Sequence, residues 1–279
     1  MKKIIIPNQK KIENVQGIDG FLLGLESLST NFYHTYKIEE IKKMIEEYPN
    51  KEIFVAVNKN ILNSELSLLE EKLQELETLP IKGILFYDLA VLHMKKRKSL
   101  KIPLYWAQEH FTTNYLTIEY YRKEGVKGTC ISSDITKEEI LEIRKNTEGE
   151  MMVPIFGYLP IFASRRHLVQ NYEKTFAVKG EGNVYTFEKD DKKYRIIDEK
   201  EGTTAYSACL LNGFSMYDDL EQNKIEYSII NGQFIKDDIW NKVLSIITSD
   251  EKEKEVKINE VCQNTDTGFL YKETFYKVK

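Results

Sequence analysis

Ser164, Arg165, Arg166 and His167 place two guanidiniums and an imidazole side by side. Such a run suits anions, because a guanidinium meets a carboxylate or a phosphate through two parallel hydrogen bonds. A dicarboxylate or an RNA phosphate would satisfy it; alternatively, one of Arg165 and Arg166 neutralises a core carboxylate and the other lies on the surface. Glu26 closes the run GFLLGLE and Glu109 closes LYWAQE. Two carboxylates facing one cleft can share protons or hold a cation, and either can equally pair with Arg165 or Arg166. Glu26, Glu109 and Arg165 are therefore the candidate catalytic residues. Asn58, Asp88, His110, Arg165, Arg166 and His167 are the candidate ligand contacts, and Asp134 is a further polar residue ending an apolar run. Asn58 can donate and accept, but Asn also favours turns for local reasons, and Asp88 stands where a helix N-cap is expected.

Other chemistries find no support. The histidines, His34, His93, His110 and His167, form no H-E-x-x-H pair, so no metal site is expected from them. Proteolysis needs a nucleophile with a base and an orienting group, and the chain carries no G-x-S-x-G. Cys130, Cys209 and Cys262 are scattered without C-x-x-C spacing and read as reduced, buried thiols. Of the 17 Tyr and 13 Phe, most fall in strands or at helical spacing, leaving Tyr115, Tyr120 and Tyr121 as the aromatics expected at a surface.

The elements that would position these residues alternate. Strands are expected at Lys3–Ile6, Gly20–Glu26, Glu52–Val57, Gly83–Asp88, Leu104–Glu109, Gly128–Ser132 and Met152–Phe156, most of them nearly continuous in apolar residues as buried parallel strands are. Between them Ile38–Tyr48, Ser64–Glu77, Ala90–Lys98, Asn114–Lys123 and Lys137–Lys145 repeat apolar residues three or four apart and read as helices. Asn63 or Ser64 is placed to cap one helix, and Thr136 with Glu139 forms a capping box for another. After Tyr172 a DD-K turn separates Tyr185–Phe187 from Tyr194–Ile197, which predicts an antiparallel hairpin. Ile225–Ile230 and Asp238–Thr248 then supply an eighth strand and helix.

The fold class predicted is α/β: a (β/α)8 TIM-like barrel, regular or distorted, with a small β-hairpin insertion and a C-terminal tail. The barrel is expected over residues 1–249 with the insertion at about 176–207, and 250–279 as a charged connector and a tail packing back on it, Gly268–Tyr276 docking as a short strand. In such barrels the chemistry sits at the C-terminal strand ends, where the candidates above fall. No G-x-G-x-x-G follows a strand, which disfavours a Rossmann sheet. The net charge of -4 gives no general attraction for polyanions. The N-terminal MKKIIIPN is too short in apolar residues for a signal peptide and no stretch suits a membrane helix, so the expected location is cytoplasmic, with no membrane partner.

The segment MMVPIFGYLPIFASRRHLVQNY, residues 151–172, is similar to the signature region of the U32 peptidase family. GFLLGLESLS, VAVNKNILNSEL, ILFYDLAVL, LYWAQEHFTTNYLTIEYYRKEGVKG and NTDTGFLYKETFY fit the same family in order along the chain. TTNY, the S-R-R turn followed by NY, and DTGF-x-x-KET resemble the shorter of two U32 proteins that occur as a pair in Gram-positive bacteria. The resemblance implies one of two activities: the peptidase for which the family is named, or a prephenate-dependent hydroxylation, in the paired proteins 5-hydroxyuridine formation at the tRNA wobble position. It implies a longer U32 paralogue and tRNA as partners and prephenate as a family co-substrate, and leaves self-association open. Where the family places cysteines that hold an iron–sulfur cluster, this chain has Pro160 and His167, so no cofactor is expected on this chain and the redox chemistry would fall to the longer partner. A degenerate barrel kept as a binding module is the remaining alternative.

Overall fold

The computed structural model describes residues 1–12, 15–108, 110–180, 182, 184–250 and 252–272. The chain runs β1 (Lys2–Ile6), β2 (Gly20–Leu25), the two-residue β3 (Thr35–Tyr36), α1 (Ile38–Glu47), β4 (Glu52–Val57), a 3-10 turn at Asn63–Glu65 and α2 (Leu66–Glu77). There follow β5 (Gly83–Phe86), α3 (Leu89–Lys98), β6 (Leu104–Trp106), α4 (Tyr115–Lys123), β7 (Gly128–Cys130), α5 (Lys137–Lys145) and β8 (Glu150–Gly157). The second half contains β9 (Pro160–Ser164), α6 (Leu168–Phe176), β10 (Val184–Lys189), β11 (Lys192–Glu199), β12 (Gly202–Tyr206) and β13 (Leu210–Asn212). It ends with α7 (Tyr217–Gln222), β14 (Tyr227–Asn231), α8 (Asp237–Thr248), α9 (Lys254–Val261) and β15 (Thr265–Asp266).

Strands β1, β2, β4, β5, β6, β7 and β8 pair in parallel in that order, and β14 pairs in parallel with both β8 and β1. The sheet therefore closes into an eight-stranded parallel barrel ringed by helices, the (β/α)8 architecture expected. Each strand must bury both faces, which is why β2 reads GFLLGL with every residue buried. Side chains alternate: Ile4, Leu22, Phe54, Leu85, Tyr105, Met152, Tyr227 and Ile229 fill the interior, while their neighbours pack outward on the helices. Toward one end of the interior the Phe54 ring meets Tyr105 and Tyr227 edge-on at 5.3 and 5.2 Å, and the Tyr105 hydroxyl donates to Glu150 at 2.6 Å.

Gly157 turns the chain out of the barrel. Its φ of 117° lies where side chains are strained, and a Cβ there would stand 2.3 Å from the Asn231 carbonyl oxygen. Beyond it β9 begins an antiparallel sheet ordered β10-β11-β12-β9, a lobe beside the barrel mouth. The expected hairpin is its outer half: Asp190 and Asp191 take φ of 52° and 59°, the pair of left-handed residues a tight two-residue turn requires. The lobe exceeds the hairpin because β9 pairs with β12 some forty residues later, a register that local pattern does not carry.

Several boundaries move. Strands β6 and β7 stop at Trp106 and Cys130, short of the expected Glu109 and Ser132, and the eighth strand runs Tyr227–Asn231. Neither Asn63 nor Ser64 caps α2; the Glu65 carboxylate instead accepts the Leu62 N–H at 2.8 Å across the 3-10 turn. The Thr136–Glu139 box is present, with Thr136 N–H donating to Glu139 at 2.7 Å and Glu139 N–H to Thr136 at 3.3 Å. Within the charged stretch 250–257, Lys254 starts α9, whose Ile258 is buried. The strand expected over 268–276 is not formed at its start, since Gly268 to Tyr271 make a turn and pairing is confined to β15; residues 273–276 lie outside the described residues. No helix among the described residues is long and apolar enough to cross a membrane.

Candidate functional site

Glu26, Asn58, Tyr87 and Gln108 each lie just beyond the C-terminal ends of β2, β4, β5 and β6, and together they line a cavity of about 750 Å³. Phe162 and Ser164 of β9, Ile197 and Asp198 of β11 and Thr204 of β12 form its other wall. The site is thus a cleft between the barrel mouth and the lobe.

Lys59 is the residue that joins the two. It is only 4% exposed, and its ammonium meets Glu65 at 2.8 Å, Glu201 in the β11–β12 turn, and the Ser27 carbonyl at 3.0 Å. Arg165, at the end of β9, closes the same network through a two-pronged contact with Glu65, 3.2 Å for each prong, and a hydrogen bond to the Asn60 carbonyl. Burial pushes the Glu65 carboxyl up, but hydrogen bonds from Arg165, Lys59 and the Leu62 N–H, with the Lys59 charge, outweigh it and hold the group at about 2. Arg165 therefore lines the cavity as a strut between lobe and barrel. The carboxylate it neutralises is Glu65, and neither arginine is paired with Glu26.

Two imidazoles reach the cavity, each with one ring nitrogen held by a carboxylate. His167 Nδ1 lies 2.9 Å from Asp198, and the same buried carboxylate accepts the Val169 and Gln170 N–H groups at 2.8 and 3.0 Å, so it caps α6 while orienting the ring. His110 Nδ1 lies 2.7 Å from Asp134, which in turn donates its N–H to Ser132 Oγ at 3.1 Å. Asp134 thus belongs to the mouth as the partner of His110.

The remaining candidates divide. Glu26 lines the cavity and its carboxylate has no hydrogen bond or ion pair among the described residues. Glu109 lies outside the described residues. Asn58 is buried and largely committed: its Oδ1 accepts the Thr30 N–H at 3.0 Å and its Nδ2 donates to the Thr30 carbonyl at 2.9 Å, so it staples a loop at the cavity wall. Asp88 is a helix cap, one oxygen accepting the Ala90 N–H and the other the Ile61 N–H, both at 2.8 Å. Arg166 is exposed and does not line the cavity; its backbone is held by Ser164 and Thr203.

Sequence reading missed Lys59, Glu65 and Glu201. A lysine after an apolar run looks like an ordinary loop residue, and its partner Glu201 is 142 positions away. Gln108 and Gln170, whose amides line the cleft, carried no signal either. The surface aromatics were underestimated: beyond Tyr115 and Tyr120, Phe111, Phe162, Tyr172 and Phe176 are exposed, and Tyr121 is half-buried against Trp106. Phe111 lies on an irregular segment, Phe162 on the exposed strand β9, and Tyr172 and Phe176 on α6, where apolar spacing mimics a buried face.

The positions that the family resemblance matches to cluster cysteines hold Pro160, whose side chain has no ligand atom, and His167, whose Nδ1 is held by Asp198. Cys130 ends β7, Cys209 precedes β13 and Cys262 follows α9. No group of three or more His, Cys, Asp or Glu placed to hold a metal ion occurs among the described residues. These residues do not fit a cluster.

The chain is similar to tRNA hydroxylation protein P2 of Bacillus subtilis, with 25% identity over 93% of both chains. It is also similar to tRNA hydroxylation protein P1 of the same organism, 25% identical over 158 residues that make up 56% of this chain and 36% of that longer protein. Among solved structures, 3-hexulose-6-phosphate synthase from Salmonella typhimurium aligns with a TM-score of 0.46 and 10% identity over 94% of this chain and 98% of that one. The sequence profile of Peptidase family U32 matches residues 8–265, almost the whole barrel and lobe. The chain belongs to peptidase family U32.

Proposed function

We propose that this chain is a cluster-free subunit of the machinery that hydroxylates wobble uridine in tRNA, working in the cytoplasm with a longer U32 relative. The observation that carries this reading is the similarity to tRNA hydroxylation protein P2, which spans 93% of both chains and so includes the barrel and the lobe. The second match, to the longer P1, supports a paired arrangement in which the chemistry absent here is supplied by the partner.

The cleft suits the role. A volume of about 750 Å³ is within the range of small-molecule sites. Among the described residues its charged lining balances, Lys59, Arg165 and Lys200 against Glu26, Asp198 and Glu201, which favours a neutral polar group such as a nucleobase over a polyanion. Glu26, the two oriented imidazoles and the Gln108 and Gln170 amides are the groups left to contact it. A peptidase reading has less beneath it: among the described residues no hydroxyl or thiol is hydrogen-bonded to His110 or His167.

The test is mass spectrometry of nucleosides from total tRNA of a strain lacking this gene and of the same strain complemented. Loss of 5-hydroxyuridine-derived nucleosides, restored by the wild-type gene and not by a Glu26→Gln copy, is expected. Unchanged nucleosides in the deletion strain would overturn the proposal.

A further inference from the structure

Beside the cleft lies a second, shallower groove of about 540 Å³. The two share Asn60, Tyr87 and Gln108 as a common wall. Its floor is aromatic: Trp106, at the end of β6, stacks on Tyr121 of α4 with ring centroids 4.1 Å apart and planes 20° from parallel. Trp106 is 5% exposed, and its indole N–H has no acceptor among the described residues, an unusual state for a buried donor. Phe111 and Leu89, at 63% and 55% exposure, stand at the rim.

The polar groups of the groove fall into two sets. Asp88 is spent on the Ala90 and Ile61 N–H groups, so it offers no free carboxylate oxygen to a ligand. The side-chain amides of Asn60 and Gln108 make no hydrogen bond among the described residues. What the groove presents among the described residues is the exposed Phe111 ring and Leu89 over the Trp106–Tyr121 stack, two unused amides and the hydroxyls of Tyr87, Thr117 and Tyr121, with the indole donor buried beneath them. That chemistry fits a flat, neutral heterocycle bearing carbonyl and N–H edges, which is a nucleobase. Every base presents a π-face, so stacking here would position a strand without reading its sequence.

We infer that this groove is a stacking subsite for the nucleobase adjacent to the one that enters the cleft. The inference rests on the tRNA reading above and adds to it the surface that holds the neighbouring nucleotide. Because the two sites share the wall of Asn60, Tyr87 and Gln108, bases in both would lie on either side of it.

The experiment measures fluorescence anisotropy of the full chain with a labelled RNA hairpin carrying a seven-nucleotide loop and, separately, with a blunt RNA duplex. Phe111→Ala, which removes an exposed side chain, is expected to weaken loop binding about tenfold, the scale of one lost base stack. Leu116→Ala, exposed on α4 and outside the groove, should leave it unchanged. In a Trp240→Phe background the loop RNA should quench Trp106 fluorescence and the duplex should not. Loop binding unaffected by Phe111→Ala, or a silent Trp106 on saturation with loop RNA, would overturn the subsite and leave the proposed function standing. A wild-type chain that binds no loop RNA would overturn both. Loss of co-purification with the longer U32 relative in Phe111→Ala, with RNA binding intact, would reassign the groove to a protein partner and overturn the inference.

Discussion

At the scale of single residues, the cleft is held by Lys59. Removing one member of a buried ion network leaves the others desolvated and unpaired, which costs several kcal/mol. Lys59→Met is therefore expected to destabilise the fold by about 3 kcal/mol in urea unfolding, with Glu201 left facing the cleft alone. Glu65 makes the network pH-dependent in a defined direction. Its folded value of about 2 lies below its ordinary 4.5, so its stabilisation is complete above that ordinary value and is lost as pH falls toward and through the folded one. Between about pH 6 and about pH 3 the native state should lose on the order of 2 kcal/mol from this group, and Glu65→Gln should remove that share of the acid slope. Cys262 offers a different check. Burial pushes its thiol up to about 11, so it should resist alkylation at neutral pH until the chain unfolds, as peptide mass spectrometry of labelled samples would show.

At the scale of elements, two short junctions decide where the site residues sit. Gly157 is the point at which a barrel strand becomes a lobe strand, and Gly157→Ala forces a Cβ against the Asn231 carbonyl in a conformation that disfavours side chains. A loss of about 3 kcal/mol or more is expected, measured as a fall in melting temperature. Helix α6 is the opposite case, an amphipathic helix with no fully buried residue, fastened at its start by Asp198 and Thr203. Asp198→Ala removes the cap and the His167 orienter together. Amide exchange over residues 168–176 should accelerate by about tenfold, matching a cap worth roughly 1 kcal/mol or somewhat more, while the barrel strands keep their protection.

For the molecule as a whole, the lobe is joined to the barrel through β8–β9 and β12–β13 and is clamped across the cleft by the Lys59, Glu65, Arg165 and Glu201 contacts. The barrel closes through β14 without any lobe strand, so its cooperativity does not depend on the hairpin. A protease offered the exposed Asp190–Asp191 turn should nick the hairpin first and leave a core whose thermal transition moves by only a few degrees; collapse of the barrel on nicking would contradict this independence.

The barrel was legible because its cause is local. Strands buried on both faces must be apolar runs, helices covering them must be amphipathic, and seven such strands and five such helices, with an eighth strand and its helix after the hairpin, announced themselves in order along the chain. The family was legible in the same way, through motifs that stay contiguous in sequence. The chemistry of the cleft was not. Asn58 and Arg165 have the residue types of ligand contacts, yet the fold spends both on structure, Asn58 on Thr30 and Arg165 on Glu65, while Lys59 looked like a loop residue and became the keystone. Whether a polar side chain is free or consumed depends on partners brought together across a hundred residues or more, and only the tertiary structure sets those distances.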